Sequence, residues 1–161
     1  EVINKFLGEG YWLAGEYAKA TQSLQELREI AERCGMRYLL GFTHRLLGEI
    51  ALHTNLAQVE APLAAPHFEQ SIALLRAIHA ENELALAYAG YARLQQQQSH
   101  LAQARDYLTR ALEIFERLGT RGEPDKVRQA LATLLGGEQS GSLNEDVSNL
   151  LIQHQSRRPN S

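Results

Sequence analysis

The stretch Leu101–Gly119 reads L-A-Q-A-R-D-Y-L-T-R-A-L-E-I-F-E-R-L-G. Apolar side chains recur at Leu101, Ala104, Tyr107, Leu108, Ala111, Leu112, Phe115 and Leu118. This spacing lines one face of an α-helix, and charged residues fill most of the remainder. Small Ala104, bulky Leu108 and small Ala111 lie near one line, so a second helix can approach closely at the alanines. The arrangement recurs upstream. Leu24, Phe68 and Leu108 are equivalent, as are Leu27, Ser71 and Ala111, and Ala20, Ala64 and Ala104. The copies are offset by 44 and then 40 residues, against roughly 34 for a minimal helix-turn-helix repeat. The excess falls in the linkers, with about four extra residues in the Asn55–Pro66 connection. The chain is a helical repeat protein.

Composition supports the same class. Ala, Leu, Gln, Glu and Arg dominate, Val and Ile are sparse, and four prolines leave long spans free for helix, so an all-α fold is predicted. A length of 161 residues suits one domain with a substantial core. The net charge of −3 argues against nucleic acid or an anionic membrane as partner. No apolar run approaches the roughly 20 residues of a membrane span, and no signal peptide opens the chain. The single cysteine, Cys34, excludes an internal disulfide and suits a reducing, cytoplasmic setting. The chain begins at Glu1 directly in helical pattern, so it is expected to be a piece of a larger protein.

In chain order, residues 1–14 form a first helical pattern that Gly15 breaks. A second carries Tyr17, Ala20, Leu24, Leu27, Ile30 and Ala31 and stops near Cys34-Gly35. The second unit runs from Tyr38 to about Thr54. It resumes after an irregular connection, with Pro66 in the first turn of its next helix, and ends near His79. The third opens with Asn82 as N-cap, buries Leu84, Ala85, Tyr88, Tyr91, Ala92 and Leu94, and turns at Gln97–His100. The repeats thus cover about 1–35, 38–79 and 82–119. A capping helix over 124–135, with Pro124 near its start, turns Val127, Ala130, Leu131, Leu134 and Leu135 inward. Residues 136–161 read as a Gly-rich linker and tail with a short amphipathic helix.

These residues resemble the tetratricopeptide repeat, whose signature is L-G-x-x-Y followed by A-x-x-x-F-x-x-A on the second helix. The first copy matches at Leu7, Gly8, Tyr11, Gly15, Tyr17, Ala20 and Leu24. The second matches at Leu47, Gly48, Ala51, Ala64 and Phe68. The third keeps Ala104, Leu108 and Ala111 but has Tyr91-Ala92 in place of Leu-Gly. The resemblance implies a right-handed superhelix whose concave groove is lined by each repeat's first helix. By repeat position the groove would take Lys5, Glu9, Trp12 and Leu13 from the first copy, and Arg45, Glu49, Leu52 and His53 from the second. The third would add Ala89, Arg93, Gln96 and Gln97. Members of the family often bind an extended or helical peptide there. Lys5 and Arg45 stand where chaperone-binding members hold a C-terminal carboxylate, but Glu9 and Glu49 replace their Asn. A carboxylate clamp is therefore not expected, and these charges are expected to pair at i,i+4. The A-L-E-I-F-E-R-L-G ending also resembles helical tails of large bacterial signalling ATPases and nucleotidyl cyclases.

Nothing points to catalysis, a cofactor or a metal. No phosphate-binding loop is present, and Gly8-Glu9-Gly10 lacks the further glycine and the strand. Glu49 and His53 are four apart, but no third ligand accompanies them. Cys34 is expected to be a buried or half-buried structural thiol, although Arg33 and Arg37 flank it. Trp12, the only tryptophan, would be a binding hot spot if it faces the groove; packing under a neighbouring helix is the other reading. Val2, Ile3 and Phe6 would normally be covered by a preceding repeat. Together with Leu150 and Leu151 in the amphipathic segment Leu143–Ile152, they form a candidate interface. The segment would cap the last repeat or enter a groove. The favoured function is a non-catalytic protein-interaction module binding a peptide or helix. The alternative is a homodimerisation or scaffold domain with no external ligand. A small-molecule sensor would need an enclosed apolar pocket.

Overall fold

The computed structural model describes residues 2–54 and 64–136, with side chains from Leu7 onward. The described residues form the helices α1 (Val2–Leu13), α2 (Tyr17–Arg33), α3 (Arg37–Thr54), α4 (Ala64–Ala77), α5 (Glu81–Gln97), α6 (Leu101–Leu118) and α7 (123–136). The fold is all-α. Among the described residues no helix is long and apolar enough to cross a membrane.

Backbone chemistry closes the helices at one interval. Gly15, Gly35, His79, Ser99 and Gly119 each take a positive φ. The amide after each reaches back to a carbonyl five residues earlier: Glu16 to Tyr11, Met36 to Ala31, Ala80 to Leu75, His100 to Gln95 and Thr120 to Phe115, at 2.8–3.0 Å. This is the bond that satisfies the orphan carbonyls of a helix end. Twenty residues separate Gly15 from Gly35, His79 from Ser99, and Ser99 from Gly119. One helix with its turn is therefore a 20-residue unit, longer than half of a minimal repeat of about 34. The same geometry corrects the expected start of α5. Ala80, already bonded to Leu75, is the N-cap and has no side-chain cap bond, so Asn82 falls inside the first turn.

Helices α1–α2, α3–α4 and α5–α6 pack as hairpins, α2–α3 and α4–α5 join them in series, and α1, α3 and α5 also touch in sequence. The three rows aligned from sequence are all core: Ala20/Ala64/Ala104, Leu24/Phe68/Leu108 and Leu27/Ser71/Ala111 are each at most 2% exposed. A fourth row with the same offsets, Ala31/Leu75/Phe115, is fully buried. Close approach rests on glycine opposite a bulky side chain. A Cβ at Gly8 would lie 2.8 Å from Leu24, one at Gly41 2.6 Å from Leu75, and one at Gly48 3.1 Å from the Phe68 ring. Phe68 is held from the other side by Gly90 of α5. Ser71 adds a buried bond across the second hairpin, its hydroxyl donating to the Gly41 carbonyl at 2.8 Å.

Position in the stack decides how much of each helix is buried. Helix α3 is flanked by α1, α2, α4 and α5, and residues 41–50 are buried without interruption. Thr43, His44, Arg45 and Glu49 are thus drawn into the interior along with the apolar face. The outer helices keep a narrower stripe: Leu118 and Leu135, expected on buried faces, are exposed, as are Leu7 and the groove residue Leu13. Cys34 is exposed as well, against expectation. It caps α2 one residue before the left-handed Gly35, where the chain turns and no helix packs over it. Helix α7 sets Val127 and Leu134 into the α5–α6 core, with Ala130 and Leu131 packed alongside. The expected tail helix, including Leu150 and Leu151, and the side chains of Val2, Ile3, Lys5 and Phe6 lie outside the described residues.

Candidate functional site: a groove along the first helices

The offsets of 40 and 44 residues carry first-helix positions onto one another: Lys5/Arg45/Ala89, Glu9/Glu49/Arg93, Trp12/Leu52/Gln96 and Leu13/His53/Gln97. Because α1, α3 and α5 touch in sequence, these rows run side by side. The structure gathers them into a cleft of about 440 Å³ containing Glu9, Trp12, Leu13, Arg45, Glu49, Ala89 and Arg93. A neighbouring cleft of about 240 Å³ holds Leu52, His53, Gln96 and Gln97, and Arg93 borders both. Every expected groove residue with a described side chain borders one of the two.

Sequence reasoning missed one wall. Helix α7 contributes Glu123, Lys126, Val127 and Ala130 to the larger cleft. Repeat matching stopped at Gly119 and placed α7 only as a cap. Its apolar positions 127, 130, 131 and 134 make a stripe wide enough to serve both the core and the groove, which was the available signal.

Trp12 combines both readings entertained for it. It is half-buried against the core of the first hairpins, and it borders the cleft. Its indole meets the His53 ring edge-on, with centroids 4.9 Å apart, and stands 5.6 Å from Tyr17. Adjacent Leu13 is 79% exposed. The groove thus has an apolar, aromatic end.

Arg45 and Glu49 do not pair with each other as expected, while the Lys5–Glu9 pairing lies outside the described residues. Arg45 reaches across to α5, its Nε donating to Glu83 Oε2 at 2.9 Å, and its guanidinium lies 5.3 Å from the centre of the Phe42 ring. Arg93 of α5 donates from Nη2 to Glu49 Oε1 at 2.5 Å. Arg45–Glu49 pairing at i,i+4 is replaced by two cross-helix pairs. Packing of α3 on α5 brings in partners from the next repeat, and a buried charge takes the partner that shares its environment. Glu83 lies 38 residues from Arg45 and has no local signal in the sequence. Glu49 remains incompletely satisfied: its side chain is 5% exposed, and Oε2 is buried without a hydrogen bond. Burial pushes its carboxyl above the ordinary range, against the pull of Arg93, Arg45 and His53.

Away from the groove, His44 and His67 meet with Nδ1 atoms 3.0 Å apart. Burial, then His67 and Arg28, push His44 down to about 4. Burial and Arg28 lower His67 as well. Among the described residues no group of three or more His, Cys, Asp or Glu side chains is placed to hold a metal, and neither this pair nor Glu49–His53 gains a third ligand.

No family model, no curated protein and no solved structure matches this chain.

Proposed function

We propose that this chain is a non-catalytic protein-interaction module that holds a peptide or helical segment of a partner in the groove along α1, α3 and α5. In this reading the three hairpins build a right-handed solenoid similar to the tetratricopeptide repeat, lengthened to 40–44 residues per copy, within a larger cytoplasmic regulatory protein. The observation that carries the reading is the continuity of the cleft, which takes side chains from the first helix of all three hairpins and from α7. A cleft of about 440 Å³ lies within the range of sites that accept ligand side chains. The exposed Leu13 and half-buried Trp12 at one end have the character of an interface anchor. An amphipathic helix or extended peptide meets such a surface with spaced apolar anchors.

The test is selection from a displayed library of random short peptides on the immobilised protein, with a Leu13→Asp variant as counter-selection. Leu13 is largely solvated, so the substitution alters the groove and spares the core; circular dichroism verifies the fold. Peptides retained by the native protein and lost by the variant are the expected result, and their binding should shift or quench the emission of the lone Trp12. Failure to recover any Leu13-dependent peptide overturns the proposal.

A further inference from the structure

We infer that the segment bound in the groove presents a lysine or arginine side chain, flanked by apolar residues, to the carboxylates of Glu9 and Glu49 beside the Trp12 indole. The inference rests on the groove being a peptide site and specifies the chemistry of its occupant.

Charge accounting along the cleft supports a cation. Among the described residues, six charged side chains border it: Glu9, Glu49 and Glu123, with Arg45, Arg93 and Lys126. Every one of these cations is already matched to a carboxylate: Arg45 to Glu83, Arg93 to Glu49 and Lys126 to Glu123. An anionic ligand would have to break one of these pairs. The carboxylates are not all matched. Glu9 makes no ion pair among the described side chains, and Glu49 shares only Oε1 with Arg93 while Oε2 accepts nothing. Glu49 Oε2 is therefore an acceptor that no described side chain occupies, and a ligand N–H can fill it.

The arrangement also favours an organic cation with apolar neighbours. A buried carboxylate oxygen without a donor is costly, and a ligand N–H relieves that cost on binding. Arg93 is about half exposed, so its side chain can move aside or remain on Oε1 while the incoming donor takes Oε2. The Trp12 indole supplies the aromatic face on which a guanidinium or ammonium rests. Leu13, Leu86 and Val127 of the same cleft accept the apolar flanks, and the aliphatic stem of a lysine or arginine packs along such a surface.

The peptides recovered by the displayed library provide the test. Leu13-dependent peptides should be enriched in Lys or Arg at one position. That enrichment should vanish in separate selections on Glu49→Gln and Glu9→Gln, while the apolar preference persists. In a synthetic copy of a recovered peptide, replacing the basic residue by norleucine should weaken binding to the native protein about 10-fold or more. Against Glu49→Gln the same replacement should have much less effect. Because Glu9 is only partly buried, Glu9→Gln carries the test if Glu49→Gln disturbs the fold. Leu13-dependent peptides with no basic preference, or with an acidic one, overturn this inference and leave the peptide groove standing. The absence of any Leu13-dependent peptide overturns both.

Discussion

Replacing Gly90 by alanine isolates the packing on which the repeat depends. In an exposed helix the change stabilises by up to about 1 kcal/mol, because alanine loses less backbone entropy. At Gly90 the new Cβ would lie 2.5 Å from Phe68 Cε1, 2.9 Å from Cζ and 2.6 Å from Glu49 Oε1. The ring has nowhere to retreat. Gly48 of α3 lies so close that a Cβ there would stand 3.1 Å from it, and Tyr91 stacks on it with ring centroids 5.9 Å apart. Overpacking of this kind costs about 1–3 kcal/mol, and displacing the Glu49 carboxylate from Arg93 adds about 1.5–3 kcal/mol. After the helix gain, a net loss of about 2–4 kcal/mol is expected, or roughly 5–15 °C in Tm for a domain of this size. Gly10 is the internal reference: it lies within α1 with nothing within 4 Å of its would-be Cβ. Gly10→Ala should therefore stabilise by about 0.5–1 kcal/mol. Urea unfolding followed by circular dichroism reads both variants. Adding Phe68→Leu to Gly90→Ala should recover at least about 1 kcal/mol relative to additivity. A Gly90→Ala protein as stable as the native one would refute the assignment of Gly90 and Gly48 as the two walls of the Phe68 site.

The His44–His67 contact predicts a pH dependence. His44 sits near 4 in the fold against an ordinary 6.5, so between these values the unfolded chain binds more protons and stability falls as pH drops. The full shift corresponds to about 3 kcal/mol, discounted to about 2 for solvent screening because the contact is only partly buried. A His44→Gln, His67→Gln variant should lose that component of the slope in urea midpoints measured from pH 7 to 4, and an unchanged slope would discount the contact. Glu83→Gln should destabilise by about 2–4 kcal/mol, because Arg45 would keep its charge in a nearly buried site without a carboxylate; loss below about 0.5 kcal/mol would place the pair among ordinary surface bridges. Ser99→Gly should raise stability by about 0.5–1 kcal/mol by removing a side chain from a left-handed turn, and thermal unfolding checks the sign. Ser71→Ala should cost about 1 kcal/mol, since the buried Gly41 carbonyl loses its side-chain donor; equal midpoints would show that water or a shift replaces it.

Much of the architecture was legible because it rests on local rules. Helix periodicity and the alanine–leucine register located α6, and the offsets of 44 and 40 residues carried that register back to Phe68 and Leu24. All nine aligned positions proved buried. The helix ends were legible where glycine marks them, at Gly15, Gly35 and Gly119. They were harder to read at His79 and Ser99, where the same left-handed turn is made by residues that disfavour it. The groove positions of the first helices followed from the repeat resemblance carried over by register, since equivalent residues of touching helices form rows.

What the sequence by itself determined, then, was the helical class, the register of the hairpins and the rows along α1, α3 and α5, all set by contacts near in the chain or repeated at a fixed interval. Tertiary structure alone decided which of these residues are inside and which charges meet. Ten consecutive residues of α3 are buried because four helices surround it, a property of its place in the stack and not of its own periodicity. Cys34 and Leu13 are exposed because no helix covers them. Arg45 chose Glu83, and Glu49 chose Arg93, over nearer charges because burial selects partners by shared environment, and that environment exists only once α3 and α5 have packed together.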